Sequence, residues 1–230
     1  PDIRTELLGR GHRLRSHTDT ETIIHLYEEK GEECVRDLRG MFAFALWDGR
    51  NRRLVCARDR VGKKPFVYAH TDEGFHFASE IKSILRNKKI IPEFNNENLA
   101  QAYTFWTTIT PNTAFKNIFE LSPGHCMILN RKGMVVEKFW ELRFDKVNSS
   151  ISLTEAIDQF EELFINAVRI RLRADVEVAA YLSGGIDSSA TVAYIKDIEP
   201  GILNTFSVGF EEKDFDESNY QNEAVKYFNT

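Results

Sequence analysis

The sequence predicts two unlike halves: an α+β N-terminal half built from antiparallel sheets covered by helices, followed by the start of an α/β domain on a parallel sheet. Three observations carry this. Before residue 142, short apolar and aromatic-rich runs come in pairs joined by turn residues, the pattern of hairpins. Between Leu142 and Leu153 the chain loses periodicity and becomes polar, as a linker does. Beyond it, apolar residues recur at helical spacing and strands then alternate with helices, the order that gives a parallel sheet with right-handed crossovers. The 230 residues exceed the common domain size of ~100–150 residues, which suits two modest domains.

Taken in order, Asp19 begins a helix that runs to Lys30, with Ile23, Ile24, Leu26 and Tyr27 on its apolar face and Gly31 as its stop. The run Met41–Trp47 reads as a strand that Asp48-Gly49 turns into a second strand over Arg53–Arg58. Apolar residues on both of its sides predict a sheet covered on both faces. A second hairpin joins Pro65–Ala69 to Phe75–Ala78 through Thr71-Asp72-Glu73-Gly74, and Ser79-Glu80 starts a short helix. A third joins His125–Leu129 to Met134–Trp140 through Asn130-Arg131-Lys132-Gly133.

In the second half, Ser152 and Glu155 have capping-box spacing, and Ala156, Ile157, Phe160, Leu163, Phe164, Ala167 and Val168 continue a helix to about Arg173. A strand over 176–182, a helix after it, a strand over 203–209 and a helix from about Asp216 to Phe228 complete the βαβα order. Two strands cannot cover their own faces and edges, so this sheet looks unfinished.

The segment Ser183-Gly184-Gly185-Ile186-Asp187-Ser188-Ser189 lies between the first of these strands and its helix. Two adjacent glycines let backbone approach a ligand closely. The helix beginning near Asp187 points unpaired N–H groups and its positive dipole end at the same spot, where an oxyanion is stabilised. Three serine hydroxyls add short donors. No lysine is present, which separates the run from the G-x-x-x-x-G-K-[ST] triphosphate loop. An ordinary glycine turn with Asp187 or a serine as N-cap would account for the residue types as well. Ligands of open α/β sheets bind beyond the carboxyl ends of the strands, and both this loop and Val208-Gly209 fall there.

Thirty basic and thirty-five acidic residues give a net charge of −5, which offers no general attraction for nucleic acid or anionic membrane. The 42 % hydrophobic content supports real cores. Cys34, Cys56 and Cys126 are odd in number, widely spaced and set among apolar neighbours, as reduced core thiols of a cytoplasmic protein are. No window approaches the ~18 apolar residues of a membrane span, and none of the six histidines has a spacing that suggests a metal site.

With these residues laid out, the chain resembles glutamine-hydrolysing asparagine synthetases. The resemblance rests on Thr18–Glu21, Leu38–Asp48, Arg58–Pro65, Phe77–Lys82 and Leu121–His125, then on 183–189 and Phe206–Phe210. It implies a type 2 glutamine amidotransferase domain over 1–145, an Ntn-hydrolase-like sandwich, and an ATP pyrophosphatase-type synthetase domain over 152–230. The implied reaction joins aspartate, ATP and glutamine-derived ammonia through an acyl-adenylate, giving asparagine, AMP, pyrophosphate and glutamate.

Two departures stand out. The family begins with a cysteine nucleophile, whereas residue 1 is proline. An Asn-Gly oxyanion pair and a glutamine-binding arginine also fall upstream of the sequence given. The expectation is an internal fragment, without its catalytic cysteine and with the synthetase domain cut short. Residue by residue, the resemblance implies that Asp19 binds the α-ammonium of glutamine, although helix capping by Asp19 or Thr18 explains the same residue type. Arg58 and Asp59 fit a local ion pair at least as well as a substrate contact.

Leu182 and Val208 are expected against adenine. Ser183, Gly184, Gly185, Ser188 and Ser189 are expected on the departing pyrophosphate, and Asp187 on Mg2+, a role compatible with N-capping. Tyr181 and Ile186 are expected to pack. The partners expected are glutamine, aspartate and ATP, with a homodimer open. Competing readings change the acceptor to a sugar or peptide of surface-polysaccharide pathways, close a β-lactam, or make the chain a noncatalytic nucleotide-binding module. A phosphoribosyl-transferring amidotransferase would share the first domain but not the 183–189 loop.

Overall fold

A computed structural model describes the chain at all positions except 1, 202, 213 and 215. Two compact units divide it, Pro1–Phe144 and Asp145–Thr230. In the first, α1 (Asp2–Gly9), α2 (Asp19–Lys30) and a 3-10 turn over Gly31–Arg36 precede the hairpin β1 (Ala43–Asp48) and β2 (Arg53–Arg58). Then come β3 (Val67–Thr71), β4 (Gly74–Ala78), α3 (Ile81–Ile84), α4 (Asn96–Phe105), β5 (Phe119–Glu120), β6 (His125–Asn130) and β7 (Gly133–Lys138). One antiparallel sheet has the order β1-β2-β6-β7 and a second the order β4-β3-β5.

The period of two along a strand sorts the side chains into layers. Val55, Ala57 and Cys126 point into a core with Leu7, Leu26, Cys34, Val35 and Leu38 from the helical segments. Their neighbours Cys56 and Met127 point the other way, onto Phe66, Tyr68 and Leu121 at the second sheet. Val67 and Ala69, one residue to either side of Tyr68, face Ile84 and Ile118 beyond that sheet. The result is a helix-sheet-sheet-helix sandwich. The first sheet is thus covered on both faces at its centre, while its outer strand β7 is exposed along its length.

The three hairpins form, with one change of turn. β3–β4 and β6–β7 close as tight turns, with Thr71 opposite Gly74 and Asn130 opposite Gly133; both glycines take positive φ, 136° and 134°. The β1–β2 connection pairs Asp48 with Arg53, so four residues span it rather than an Asp-Gly pair. Asp48 holds this longer loop by accepting from the N–H groups of Arg50 (3.1 Å) and Asn51 (3.0 Å), and the positive φ falls on Arg52. Helix α4 carries no marked apolar stripe; Asn95 caps it by accepting from the N–H groups of Glu97 and Asn98.

In the second unit Ser152 and Glu155 form a full capping box on α5 (Leu153–Arg171). β8 (Ala180–Tyr181), α6 (Ile186–Ile198), β9 (Thr205–Phe206) and α7 (Ser218–Phe228) follow, and β8 and β9 pair in parallel. Both strands are shorter than expected, because each has one neighbour and the ladder lasts only while they lie alongside. Val168, Leu182, Val192, Ile195 and Leu203 form the core. Tyr181 and Ile186, expected to pack, are instead 80 % and 88 % exposed. Among the described residues no helix is long and apolar enough to cross a membrane.

Candidate functional site

Asp19 sits in the first turn of α2, exposed, at the rim of a cavity of about 880 Å³ that Ile23, Tyr27, Phe42, Phe44 and Ser79 also line. The capping explanation for it does not hold: Thr18 is the N-cap, its side chain accepting from the Glu21 N–H. The cap segment is fixed from the other side by Glu21, which accepts from the Ser16 hydroxyl (2.7 Å) and from the N–H groups of Arg15 (2.7 Å) and Ser16 (2.6 Å). Those bonds, the Ser16 hydroxyl first, hold its carboxyl down at about 2. Asp19 therefore keeps its carboxylate free of the cap while an acidic group at a helix N-terminus is favoured by the dipole.

Lining the same cavity, Tyr27 donates to Asp48 (2.9 Å) and accepts from Arg53 (2.9 Å). Burial, then the Asp48 bond, pushes its hydroxyl up to about 12. This neutral phenol ties α2 to the β1–β2 hairpin.

Arg58 and Asp59 do not pair with each other; each is buried and organises backbone. The Arg58 guanidinium donates to the carbonyls of Lys64 (2.8 Å), Leu121 (2.8 Å) and Gly62 (3.0 Å) and pairs with Glu120 at 3.1 Å. Asp59 accepts from the N–H groups of Phe42, Val61, Lys63 and Lys64 at 2.9–3.3 Å. A group so fully occupied shapes the 59–65 loop and has no lone pair to offer a substrate.

The three cysteines are free and buried, and desolvation pushes each thiol up to about 12. A thiol kept neutral is a poor nucleophile, so none of the three is suited to attack an amide. Pro1 lies outside the described residues.

In the second unit the 183–189 bend lies at the carboxyl end of β8 and opens α6. Gly185 is the N-cap, not Asp187 or a serine, and it supplies no side-chain acceptor to the first turn. Ser183 and Ser188 brace the bend from within: their hydroxyls are 3.0 Å apart, Ser188 Oγ accepts from the Ser183 N–H (3.2 Å) and donates to the Gly185 carbonyl (3.1 Å), and Ser183 Oγ accepts from the Gly185 N–H (3.3 Å). Gly184 takes φ +81° with the start of α7 directly against it. Asp187 is exposed in the first turn of α6, with Ser189 two residues further on, partly buried.

Leu182 departs from its expected role. Its side chain is fully buried in the core, its N–H donates to Phe206 (2.9 Å) and its carbonyl accepts from Ser207, so it anchors the bend instead of presenting an apolar face. Val208, half-exposed just past β9, keeps that face available. A residue missed in the sequence is Gln221 on α7: buried, it donates from Nε2 to the Val208 carbonyl at 2.9 Å and abuts Gly184. One glutamine thereby fixes both strand-end segments, and no local signal marks it.

Comparisons with known proteins align with this division. A glutamine amidotransferase domain family matches residues 1–140 and an asparagine synthase family matches residues 159–230. "Asparagine synthetase [glutamine-hydrolyzing] 3" of Bacillus subtilis is 38 % identical over 218 residues, covering 93 % of this chain and 35 % of the relative. "Asparagine synthetase [glutamine-hydrolyzing] 1" of the same organism is 33 % identical over 225 residues, covering 97 % and 35 %. "Amidase chyE" of Penicillium rubens is 35 % identical over 211 residues, covering 85 % and 31 %. The chain spans about a third of the length of these relatives. With the family fitting residues 1–140 of 230, the chain belongs to the glutamine amidotransferase domain family, and its residues 159–230 match the asparagine synthase family.

Proposed function

We propose that the chain is the amidotransferase domain and the first part of the synthetase domain of a glutamine-hydrolysing asparagine synthetase. The single observation that carries the reading is the exposed serine–glycine bend at the N-terminus of α6, beside the end of β9. It combines a helix dipole, an N-cap without a side-chain acceptor and hydroxyls already gathered on one side. In the free protein the Ser183 and Ser188 protons are engaged inside the bend, and rotation about Cβ–Oγ turns them toward an entering pyrophosphate group. Gly184, Gly185 and Ser189 line the same anion subsite.

Val208 supplies the apolar contact to adenine, with Leu182 behind it as a fixed support. In this reading Asp187 holds a magnesium ion, whose charge neutralises clustered phosphate oxygens beside a carboxylate. Asp19, free of the cap, binds the α-ammonium of glutamine in the first unit. The aspartate side-chain carboxylate attacks the α-phosphorus of ATP and pyrophosphate leaves; ammonia then displaces AMP from the acyl carbon. Activation is needed because a carboxylate resists amine attack. Ammonia comes from hydrolysis of glutamine to glutamate, for which the buried Cys34, Cys56 and Cys126 are unsuited as nucleophiles. We place this chemistry in the cytoplasm, in keeping with three unpaired thiols.

The test is product analysis of the full-length protein supplied with glutamine, aspartate and ATP·Mg2+. Asparagine with AMP and pyrophosphate is expected; ADP and phosphate would reject the assignment. The Asp19→Ala variant should lose glutamine-dependent synthesis and keep synthesis from ammonium salts. Equal loss of both would remove Asp19 from the glutamine site.

A further inference from the structure

The turn after α1 and the helix α2 bring two histidines together that are 13 residues apart. His12 Nδ1 lies 3.1 Å from His25 Nδ1, and His25 Nδ1 lies 3.0 Å from Glu28 Oε2. All three donor atoms fall within 4.8 Å of one another. The ring centroids are 5.1 Å apart and the rings close to perpendicular, at 75°, a T-shaped and not a stacked arrangement. We propose that His12, His25 and Glu28 form a binding site for a borderline divalent cation, zinc being the best match; Glu28 also borders the cavity that Asp19 lines.

Donor type and spacing both favour this ion. Two imidazole nitrogens and one carboxylate oxygen are a ligand set for zinc-like metals and not for magnesium or calcium, which take oxygen. Two donors on one tetrahedral zinc, each ~2.0–2.1 Å from it, lie roughly 3.3 Å apart; the two short separations need only a slight opening. Water completes the fourth position.

His12 already has the tautomer a cation needs, whereas His25 Nδ1, 3.0 Å from the Glu28 carboxylate, is a proton donor there and moves that proton to Nε2 or to solvent when a cation binds. His12 Nε2 lies 2.9 Å from Glu29 Oε1, and a carboxylate can only accept there, so Nε2 carries the proton and Nδ1 presents its lone pair. A carboxylate behind a ligating histidine is the usual outer support of such metals. Arg10 faces the cluster and is itself paired with Glu6 and Glu29; with both histidines neutral, three glutamates against one arginine leave a negative field for the cation. The rings stand on firm ground: the His12 N–H donates to the Leu7 carbonyl at 3.0 Å, and Leu7 and Leu26, next to His25, are in the core. A bound ion would clamp the α1 turn to α2.

Metal-free protein is titrated with Co2+ and then Zn2+, reading the strong visible absorption of tetrahedral cobalt, its displacement by zinc, and the thermal midpoint by tryptophan fluorescence, since Trp47, Trp106 and Trp140 all lie in the first unit. One equivalent should bind and raise the midpoint. His12→Gln and His25→Gln should abolish the cobalt band, Glu29→Gln should weaken binding ~10–100-fold, and His70→Gln should change nothing. Should a histidine variant fail to fold, ring resonances of the unaltered protein decide: zinc must shift those of His12 and His25. Weak octahedral cobalt only, affinity unchanged in the folded variants, or shifts confined to other histidines would overturn the site.

Discussion

Replacement of Gly184 by alanine is the sharpest test of how the 183–189 bend is held. The added methyl would lie 2.6 Å from the Tyr220 carbonyl carbon, 2.7 Å from its Cβ and 2.8 Å from the Gln221 nitrogen. Two of these are main-chain atoms, which no rotamer change removes. The φ of +81° adds ~1–2 kcal/mol for a residue with a Cβ, and displacing the start of α7 adds ~1–3 kcal/mol as overpacking does. The total is about 3 kcal/mol, a large part of the ~5–15 kcal/mol that a folded domain commands. The second unit contains no tryptophan, so the assay is amide hydrogen exchange. Protection along β8, β9 and the core turns of α6 should fall roughly 100-fold, with the first unit unchanged. Because α7 carries Gln221, the Val208 carbonyl should also lose its partner and nucleotide affinity should drop. Protection reduced less than tenfold would refute the argument that glycine is required by contact and backbone conformation together.

Asp59→Asn should destabilise the first unit by about 2–4 kcal/mol, because the amide accepts at one oxygen and turns an NH2 toward N–H groups that Asp59 Oδ1 or Oδ2 now satisfies; urea melts followed by tryptophan fluorescence check this, and a loss below 1 kcal/mol would count against it. Glu21 has its carboxyl depressed to about 2 in the folded chain, so its support of the 15–18 segment is present above the ordinary carboxylate pKa and vanishes as pH falls from there toward 2. The protection of the Arg15 and Ser16 amides, taken relative to their intrinsic exchange rates, should fall over that window and lose its pH step in Glu21→Gln; an unchanged step would assign it to another group. Cys34, Cys56 and Cys126, buried with thiols at about 12, should resist iodoacetamide at pH 8 until urea unfolds the chain, whereas fast labelling of any one in the native protein would contradict the burial argument.

What the sequence alone determined is what a few neighbouring residues can encode. The glycines that end β-turns, the Ser152–Glu155 capping box and the strand–bend–helix order around 183–189 each close hydrogen bonds within about five residues, so composition and spacing suffice to read them. That a sheet strand here would be covered on both faces was also legible, though not that Val55 and Ala57 would meet one layer and Cys56 the other. Tertiary structure decided the encounters between distant segments. Arg58 took the Leu121 carbonyl, 63 residues away, in place of its neighbour Asp59; Leu182 turned inward while Tyr181 and Ile186 stayed in solvent; Gln221 reached the Val208 carbonyl; and His12 met His25 across a helix turn and a loop. Such pairings depend on how apolar faces pack, and the packing is a property of the whole unit that no short spacing records.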